Sequence, residues 1–579
     1  MAPRVRFFGN PCTFSYSFPW WTWSEWEPFI DWMALSGLNM MLAPIGQEYV
    51  YRMVWMEMGI PEEEIDGFFT GDAFLAWNRM GNLKHLAGGI SVDRLKSQLE
   101  LNKKIVGRLV ALGIVPVLPT FAGFVPDVFL RKYPEVQFMK NQCWNGFNDS
   151  NSCVYSVSPS EPLFEEIAEK FVKKQKEIYG DVTAVYSADP FNENAPQSFA
   201  PDDLKATAES ISRGCRRGNE NCVWMIQSWG FSYDSWNSES IKAFLSGVPI
   251  GALLILDLHA ETRPMYKETD SFYGHFFVWC MLHNFGGSRQ LRGNFELVNS
   301  GYGEARRAGL NMVGGGLTME AINQNYVIYQ YFIDQMWAKS ELQTTEWLRL
   351  YTRARYSGSK SSLVHKVWGL LFETIYNEPV SQDRFNLFIY ERPSLTASYD
   401  YWYDMYRIMG LFKSLNQLNK TLGHNELFRQ DYLDLLRTTK EYEIATGGVD
   451  RVREGYGLND SRILKSGCEK LDRMFEELDL LAYDDKLNLL TWLSTARASG
   501  STEEEGQLLE KQALNQITLW GPNGEVREYA RKEWSGLIRK YYAKRWRYLC
   551  DYLSSGIRFN QKKFDQRVFL EVEKPFGGL

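Results

Sequence analysis

Over the first 320 or so residues, short apolar runs alternate with helical stretches, and beyond that point the alternation stops. Eight runs, at 5–8, 38–42, 114–118, 183–187, 222–227, 252–257, 276–281 and 311–317, are read as strands. The stretches between several of them carry clear helix punctuation. Ser24-Glu25-Trp26-Glu27 reads as a capping box whose helix stops at Gly37, and a second helix, from about 162 to 179, again ends on glycine. Eight strand and helix repeats over this length suit a (β/α)₈ barrel better than an open doubly wound sheet, which would carry a glycine-rich phosphate loop after its first strand. Gly314-Gly315-Gly316 lacks that spacing and reads instead as close backbone approach inside a barrel.

From about Gln324 onward, apolar residues recur at three- and four-residue spacing, predicting helices at 346–356, 363–376, 432–445, 463–481 and 529–553. The expected class is α/β, a TIM-type barrel over 1–323 followed by an all-α domain over 324–579. With no fixed-period repeat and no low-complexity linker, the helices should pack directly on the barrel.

Composition narrows the function. A net charge of -7 and a pI near 5.7 argue against a nucleic-acid partner. No apolar run reaches the length of a membrane span, and residues 1–8 show no apolar core or cleavage site of a signal peptide. Eight cysteines contain no Cys-x-x-Cys pair; Cys143 with Cys153, and Cys215 with Cys222, could close short loops or stay reduced. Sequons begin at Asn148, Asn419 and Asn459. Self-association is left open.

The candidate chemistry rests on two glutamates. Glu193 closes Asp189-Pro190-Phe191-Asn192-Glu193, and Glu320 closes Gly316-Leu317-Thr318-Met319-Glu320, each just past a predicted strand, where barrel active sites lie. Two carboxyl groups on rigid strand ends meet the demand of glycoside hydrolysis, one protonating the departing oxygen and the other stabilising or attacking the anomeric carbon. Asn192 could hydrogen-bond a sugar substituent, while Asp189 is expected to hold the loop. Among 20 tryptophans, Trp77, Trp144 and Trp229 fall in loop or strand-end contexts suited to a sugar face, and the cluster near Trp26 fills core. His259 and His283 make no metal-ligand pattern, no Gly-x-Ser-x-Gly elbow occurs, and Cys12 has no histidine near it in sequence, so no metal or cofactor is expected.

These residues resemble the lysosomal α-N-acetylglucosaminidase family, glycoside hydrolase family 89. The likeness runs through Cys12-Thr13-Phe14-Ser15-Tyr16-Ser17-Phe18, Asp31-Trp32-Met33, Phe74-Leu75-Ala76-Trp77-Asn78-Arg79-Met80-Gly81-Asn82-Leu83, Phe191-Asn192-Glu193, Trp279-Cys280-Met281-Leu282-His283-Asn284-Phe285-Gly286-Gly287 and Leu519-Trp520-Gly521-Pro522. It implies a barrel and a helical domain that remove terminal α-linked N-acetylglucosamine from the non-reducing end of a glycosaminoglycan such as heparan sulfate, with retention, in a lysosomal or secretory setting. It also implies Glu193 as acid/base and Glu320 as nucleophile. Asn10, Cys12, Trp77, Trp144, Asn192, Trp229 and Leu282 would line the pocket, with Trp520, Val526 and Tyr529 reaching in from the helical domain. In an α-linked substrate the acetamido group is cis to the leaving group and cannot attack from behind, so a second carboxylate must. The chain departs from the family in lacking the leader and small N-terminal domain, in ending early, in placing Phe124 where histidine is usual, and in having no counterpart near Arg384 and Phe385 for a sugar-contacting histidine. Those changes leave as an alternative a catalytically silent carbohydrate-binding or scaffold protein of the same fold.

Overall fold

The structure is a computed structural model that describes residues 4–288, 290–309, 311–379, 389–399 and 401–579. Arg384 and Phe385 lie outside the described residues. Eight parallel strands close a barrel: β1 (Val5–Phe8), β2 (Met40–Leu42), β3 (Val115–Pro119), β4 (Val185–Ser187), β5 (Val223–Gln227), β6 (Leu253–Asp257), β7 (Phe276–Met281) and β8 (Met312–Leu317). Each falls within one of the eight predicted runs or overruns it by a single residue. Strands covered by helices on one side and packed inside the barrel on the other have no wet face, so they read as continuous apolar runs. β6 is buried at every position.

β8 closes the ring on β1 in the register Val5 with Gly314 through Phe8 with Leu317. The glycines are there because the backbones touch: a Cβ on Gly314 would sit 1.8 Å from the Val5 carbonyl oxygen. Behind β8, the helix Tyr326–Trp337 lays Phe332 and Met336 on Gly315, and Phe332 also meets the Trp279 ring of β7 at 5.2 Å. This helix, which the sequence pattern puts at the head of the helical region, thus covers the barrel wall.

Two local corrections follow. The capping box is Thr22 with Glu25, whose Oε2 accepts from the Thr22 N–H at 2.8 Å, because Thr22 is extended and Ser24 is already helical. An unforecast antiparallel sheet of Phe124–Val125, Phe138–Lys140 and Tyr155–Val157 sits after β3. Its strands of two or three residues are too short to show a period of two.

Most of the helices divide between two cores, while Glu503–Gln516 packs through Leu509 and Ala513 in a third cluster with Trp77 and Trp520. The helices from Thr344 to Glu443 continue the barrel's apolar core through Trp347, Trp368, Leu415 and Phe428, while 444–572 build a second core around Phe475, Tyr541, Trp546 and Phe564. The helix expected over 529–553 starts only at 538, as a π-helical turn running into Ala543–Ser554. Glu528 at φ 64° and Gly536 at φ 86° bend the chain out of helical geometry and free 525–536 as a loop directed at the barrel.

Disulfides join Cys143 to Cys153, Cys215 to Cys222 and Cys468 to Cys550; Cys12 and Cys280 are free and buried. The third bridge, 82 residues apart in sequence, ties helix Ser461–Leu481 to Ala543–Ser554 in the second core. Replacing Cys468 and Cys550 together by serine is expected to lower unfolding stability by about 2–4 kcal/mol, checked by urea unfolding under non-reducing conditions. Among the described residues no helix is long and apolar enough to cross a membrane.

Candidate active site

The loops after all eight strands, together with the loop 524–531, surround a cavity of about 750 Å³ at the C-terminal mouth of the barrel. That size suits one sugar ring and part of a second unit. Glu193 and Glu320 both face it.

Glu193 stands on the loop after β4. Asp189, half-buried on the same loop, accepts from the backbone N–H of Gln227 at 2.7 Å and from its Nε2 at 2.8 Å, locking this loop to the end of β5. The Glu193 carboxylate accepts from Trp144 Nε1, from Asn82 Nδ2 at 3.1 Å and from the Tyr233 hydroxyl at 3.4 Å. Trp229 donates as well. Burial pushes the Glu193 carboxyl above its ordinary value, and these neutral donors pull the other way.

Glu320 follows β8. Its Oε2 accepts from the Gly286 N–H at 2.6 Å and its Oε1 from the Tyr529 hydroxyl at 3.1 Å. Burial pushes it up to about 7; the Gly286 and Tyr529 donors oppose this, Glu193's charge adds to it, and the Lys532 ammonium opposes it.

Aromatic and amide groups complete the wall. Trp144 is carried on the excursion closed by Cys143–Cys153, and its backbone N–H is held by Ser152 Oγ at 2.8 Å. Trp77 is buried beside it, the rings 6.4 Å apart. Asn10, just past β1, donates to the Thr318 carbonyl at 2.9 Å and accepts from the Cys12 N–H at 2.8 Å. Asn192 is buried against Met80 Sδ. Leu282 and His283 turn past β7 with both backbone N–H groups on Glu261 Oε1, at 2.9 and 2.7 Å. Cys12 faces the cavity, but burial and then the charges of Glu320 and Glu193 hold its thiol far above the usual range, so it is no nucleophile.

Asn10, Cys12, Trp77, Trp144, Asn192, Trp229, Leu282, Val526 and Tyr529 thus meet with both glutamates around one cavity. Trp520 does not line it. Wholly buried, Trp520 stands behind Trp77, rings 4.4 Å apart and nearly perpendicular, and donates Nε1 to the Tyr16 hydroxyl at 3.0 Å. It supports the cavity wall from the rear because Trp77 and Tyr16 already occupy the front. Phe124 lines a separate void of about 80 Å³ inside the barrel, its ring against Gly81. Sequence reasoning missed Asn82, Tyr233, Glu261, Gly286 and Lys532. Asn82 and Gly286 sit inside segments already singled out, whereas Tyr233 and Lys532 carry no local signal.

Two carboxyl groups and an aromatic wall around one cavity suit the hydrolysis of a glycosidic bond, and likeness to known proteins makes the chain a glycoside hydrolase of the barrel type. The family is fixed by comparison. The model of the alpha-N-acetylglucosaminidase (NAGLU) tim-barrel domain matches residues 6–339, and that of the NAGLU C-terminal domain matches 347–578. Human alpha-N-acetylglucosaminidase is 36% identical over 585 residues, covering 99% of this chain and 78% of the human protein. A family 89 glycoside hydrolase from Clostridium perfringens in complex with PUGNAc superposes with a TM-score of 0.90 at 25% identity, over 98% of this chain and 66% of that one. The Clostridium perfringens enzyme in complex with its substrate GlcNAc-alpha-1,4-galactose gives a TM-score of 0.89 at 25% identity, over 97% of this chain and again 66% of that one. The chain belongs to the α-N-acetylglucosaminidase family.

Proposed function

We propose that the protein is a retaining exo-glycosidase that removes terminal non-reducing α-linked N-acetylglucosamine from glycosaminoglycans such as heparan sulfate. The observation that carries this reading is the unequal setting of the two carboxyl groups. Glu193 is surrounded by neutral donors, which suit a group that must hold and release a proton. Glu320 has a backbone N–H, a tyrosine hydroxyl and the charge of Lys532 directed at it, which suit a group that must be an anion.

In the first step Glu320 attacks the anomeric carbon from the face opposite the aglycone, and Glu193 gives its proton to the departing glycosidic oxygen. In the second, Glu193 takes a proton from water as that water attacks the same carbon and expels Glu320. Two inversions return the α configuration. Trp77, Trp144 and Trp229 offer faces or edges to the sugar, and Asn10 and Asn192 offer amides to its substituents.

Proton NMR of the first-formed sugar is expected to show the α anomer. A β anomer at early times would replace double displacement with single displacement, and no release of an aryl α-N-acetylglucosaminide at any pH from about 4 to 7 would remove the reading.

The pH profile gives a further expectation. Turnover needs one proton on the pair, so kcat/KM is bell-shaped, falling at acid pH as Glu320 takes a proton and at alkaline pH as Glu193 loses its own. Glu193→Gln should abolish the alkaline limb attributable to Glu193 and leave the acid limb near its place, because Glu193 is already neutral where Glu320 takes its proton. Rates measured on a substrate with a strongly acidic phenol, which departs without a proton, will show this.

A lysosomal or secretory location fits this reading. Three disulfides require an oxidising route, and the sequon residues Asn148, Asn419 and Asn459 are all exposed.

A further inference from the structure

The loop that brings Tyr529 to the cavity also brings a buried cation. Lys532 donates Nζ to the carbonyl oxygens of Gly286 at 2.8 Å and Gly287 at 3.4 Å. The same turn holds the N–H that binds Glu320 Oε2. Gly286 and Gly287 have φ of 65° and 89°, and neither tolerates a side chain: a Cβ would lie 1.9 Å from the Tyr529 carbonyl oxygen at Gly286 and 2.1 Å from Lys532 Nζ at Gly287. The barrel turn is therefore gripped from outside by one loop of the helical region, which also sets the Tyr529 hydroxyl on Glu320.

The surroundings of Lys532 explain what its charge is for. A buried ammonium is costly without an anion. The anion it faces is Glu320. Around it stand the rings of Tyr16 and Trp534, at 5.8 and 5.9 Å, and the Tyr542 hydroxyl, which donates to the Lys532 backbone carbonyl. Burial keeps the Tyr16, Tyr529 and Tyr542 hydroxyls protonated. Two carbonyl oxygens fix the ammonium on the barrel side, and the charge of Glu320 favours its protonated form.

We propose that Lys532 is a positioning residue for the nucleophile: its ammonium pins the Gly286–Gly287 turn against Glu320 and favours the ionised form of Glu320, and it must carry its proton to do so. The proposal rests on the assignment of Glu320 as nucleophile. Burial lowers Lys532 to about 7, with Glu320 resisting, so the charge is present below that pH and is lost as pH rises through it. Deprotonation of Lys532 then adds to the alkaline fall in rate and persists in Glu193→Gln.

The test uses full-length Lys532→Met and Lys532→Arg, assayed across pH on two aryl α-N-acetylglucosaminides, one with a good and one with a poor leaving group. In parallel, the Glu320 carboxyl is titrated by infrared difference spectroscopy, its band identified by loss in Glu320→Gln. Lys532→Met is expected to lower kcat/KM about 10²-fold for both substrates alike. Its acid limb and the Glu320 band should move up by about one pH unit or more, because the stabilising charge is gone. Lys532→Arg should leave the acid limb in place. An unmoved acid limb and carboxyl band in Lys532→Met would overturn the proposal, as would a loss confined to the poor leaving group, which would point to Glu193. If Lys532→Met does not fold, Lys532→Gln is read by the same criteria. If the wild type cleaves no α-N-acetylglucosaminide, the glycosidase reading falls, and the infrared titration still decides the role of Lys532.

Discussion

Glu320→Gln is expected to lose turnover of an aryl α-N-acetylglucosaminide by about 10⁴–10⁶-fold, the scale on which removing a covalent nucleophile acts, whatever the leaving group. The carboxyl is held at both oxygens, by the Gly286 N–H and the Tyr529 hydroxyl, so glutamine can occupy the same place and the loss reports chemistry rather than folding. Truncation gives a sharper result. With Glu320→Gly, azide should enter the vacated side and give the β-glycosyl azide, since a single displacement inverts. With Glu193→Gly, azide should attack the glycosyl-enzyme and give the α product. Exchange of the two azide stereochemistries would reverse the roles of the glutamates. Retention of rate in Glu320→Gln would remove it from the chemistry.

The largest expected effect on stability lies behind the site. Arg545 is wholly buried; its Nη1 meets Glu528 at 2.9 Å and Glu573 at 3.3 Å, and its Nη2 donates to the Tyr390 carbonyl at 2.9 Å. Arg392 binds the far side of Glu573, and the Tyr541 hydroxyl donates to Glu528. Arg545→Met leaves the buried Glu528 without its ion-pair partner, while Glu573 keeps Arg392 and Arg527, and is expected to cost about 3–5 kcal/mol, read as a lowered urea midpoint. Replacing Arg545, Glu528 and Glu573 together by apolar residues of similar volume should recover much of that loss. Because Glu528 opens the turn into Tyr529, Arg545→Met should also lower kcat/KM in whatever fraction stays folded. A variant with unchanged midpoint would show that the cluster adds nothing net.

The barrel was legible because its strands are buried on both sides, and the two glutamates were legible because each follows a strand directly. What escaped had no local signature. Cys468 and Cys550 are paired by helix packing across 82 residues, which spacing does not reveal. The stretch from 529 has the apolar spacing of a helix, yet Glu528 and Gly536 take left-handed geometry because the loop must reach the barrel. Trp520 shows the limit for aromatic residues: a ring that stacks on sugar and a ring that backs it look alike in sequence, and only the contact with Trp77 separates them. Lys532 was invisible for a related reason. A lysine next to Arg531 and Glu533 reads as solvated charge until its amine is seen inside the turn it holds.

The route of Tyr529 and Lys532 into the barrel has a consequence for biosynthesis. Both carboxyl groups leave the ribosome early, with the barrel, while the residues that set the state of Glu320 follow more than 200 positions later, and the cluster anchoring their loop is completed only by Glu573. A nascent chain can therefore close its barrel and assemble the Glu193 side of the cavity while the Glu320 side still lacks Tyr529 and Lys532. Activity should arrive late and abruptly during synthesis, with the docking of the second core.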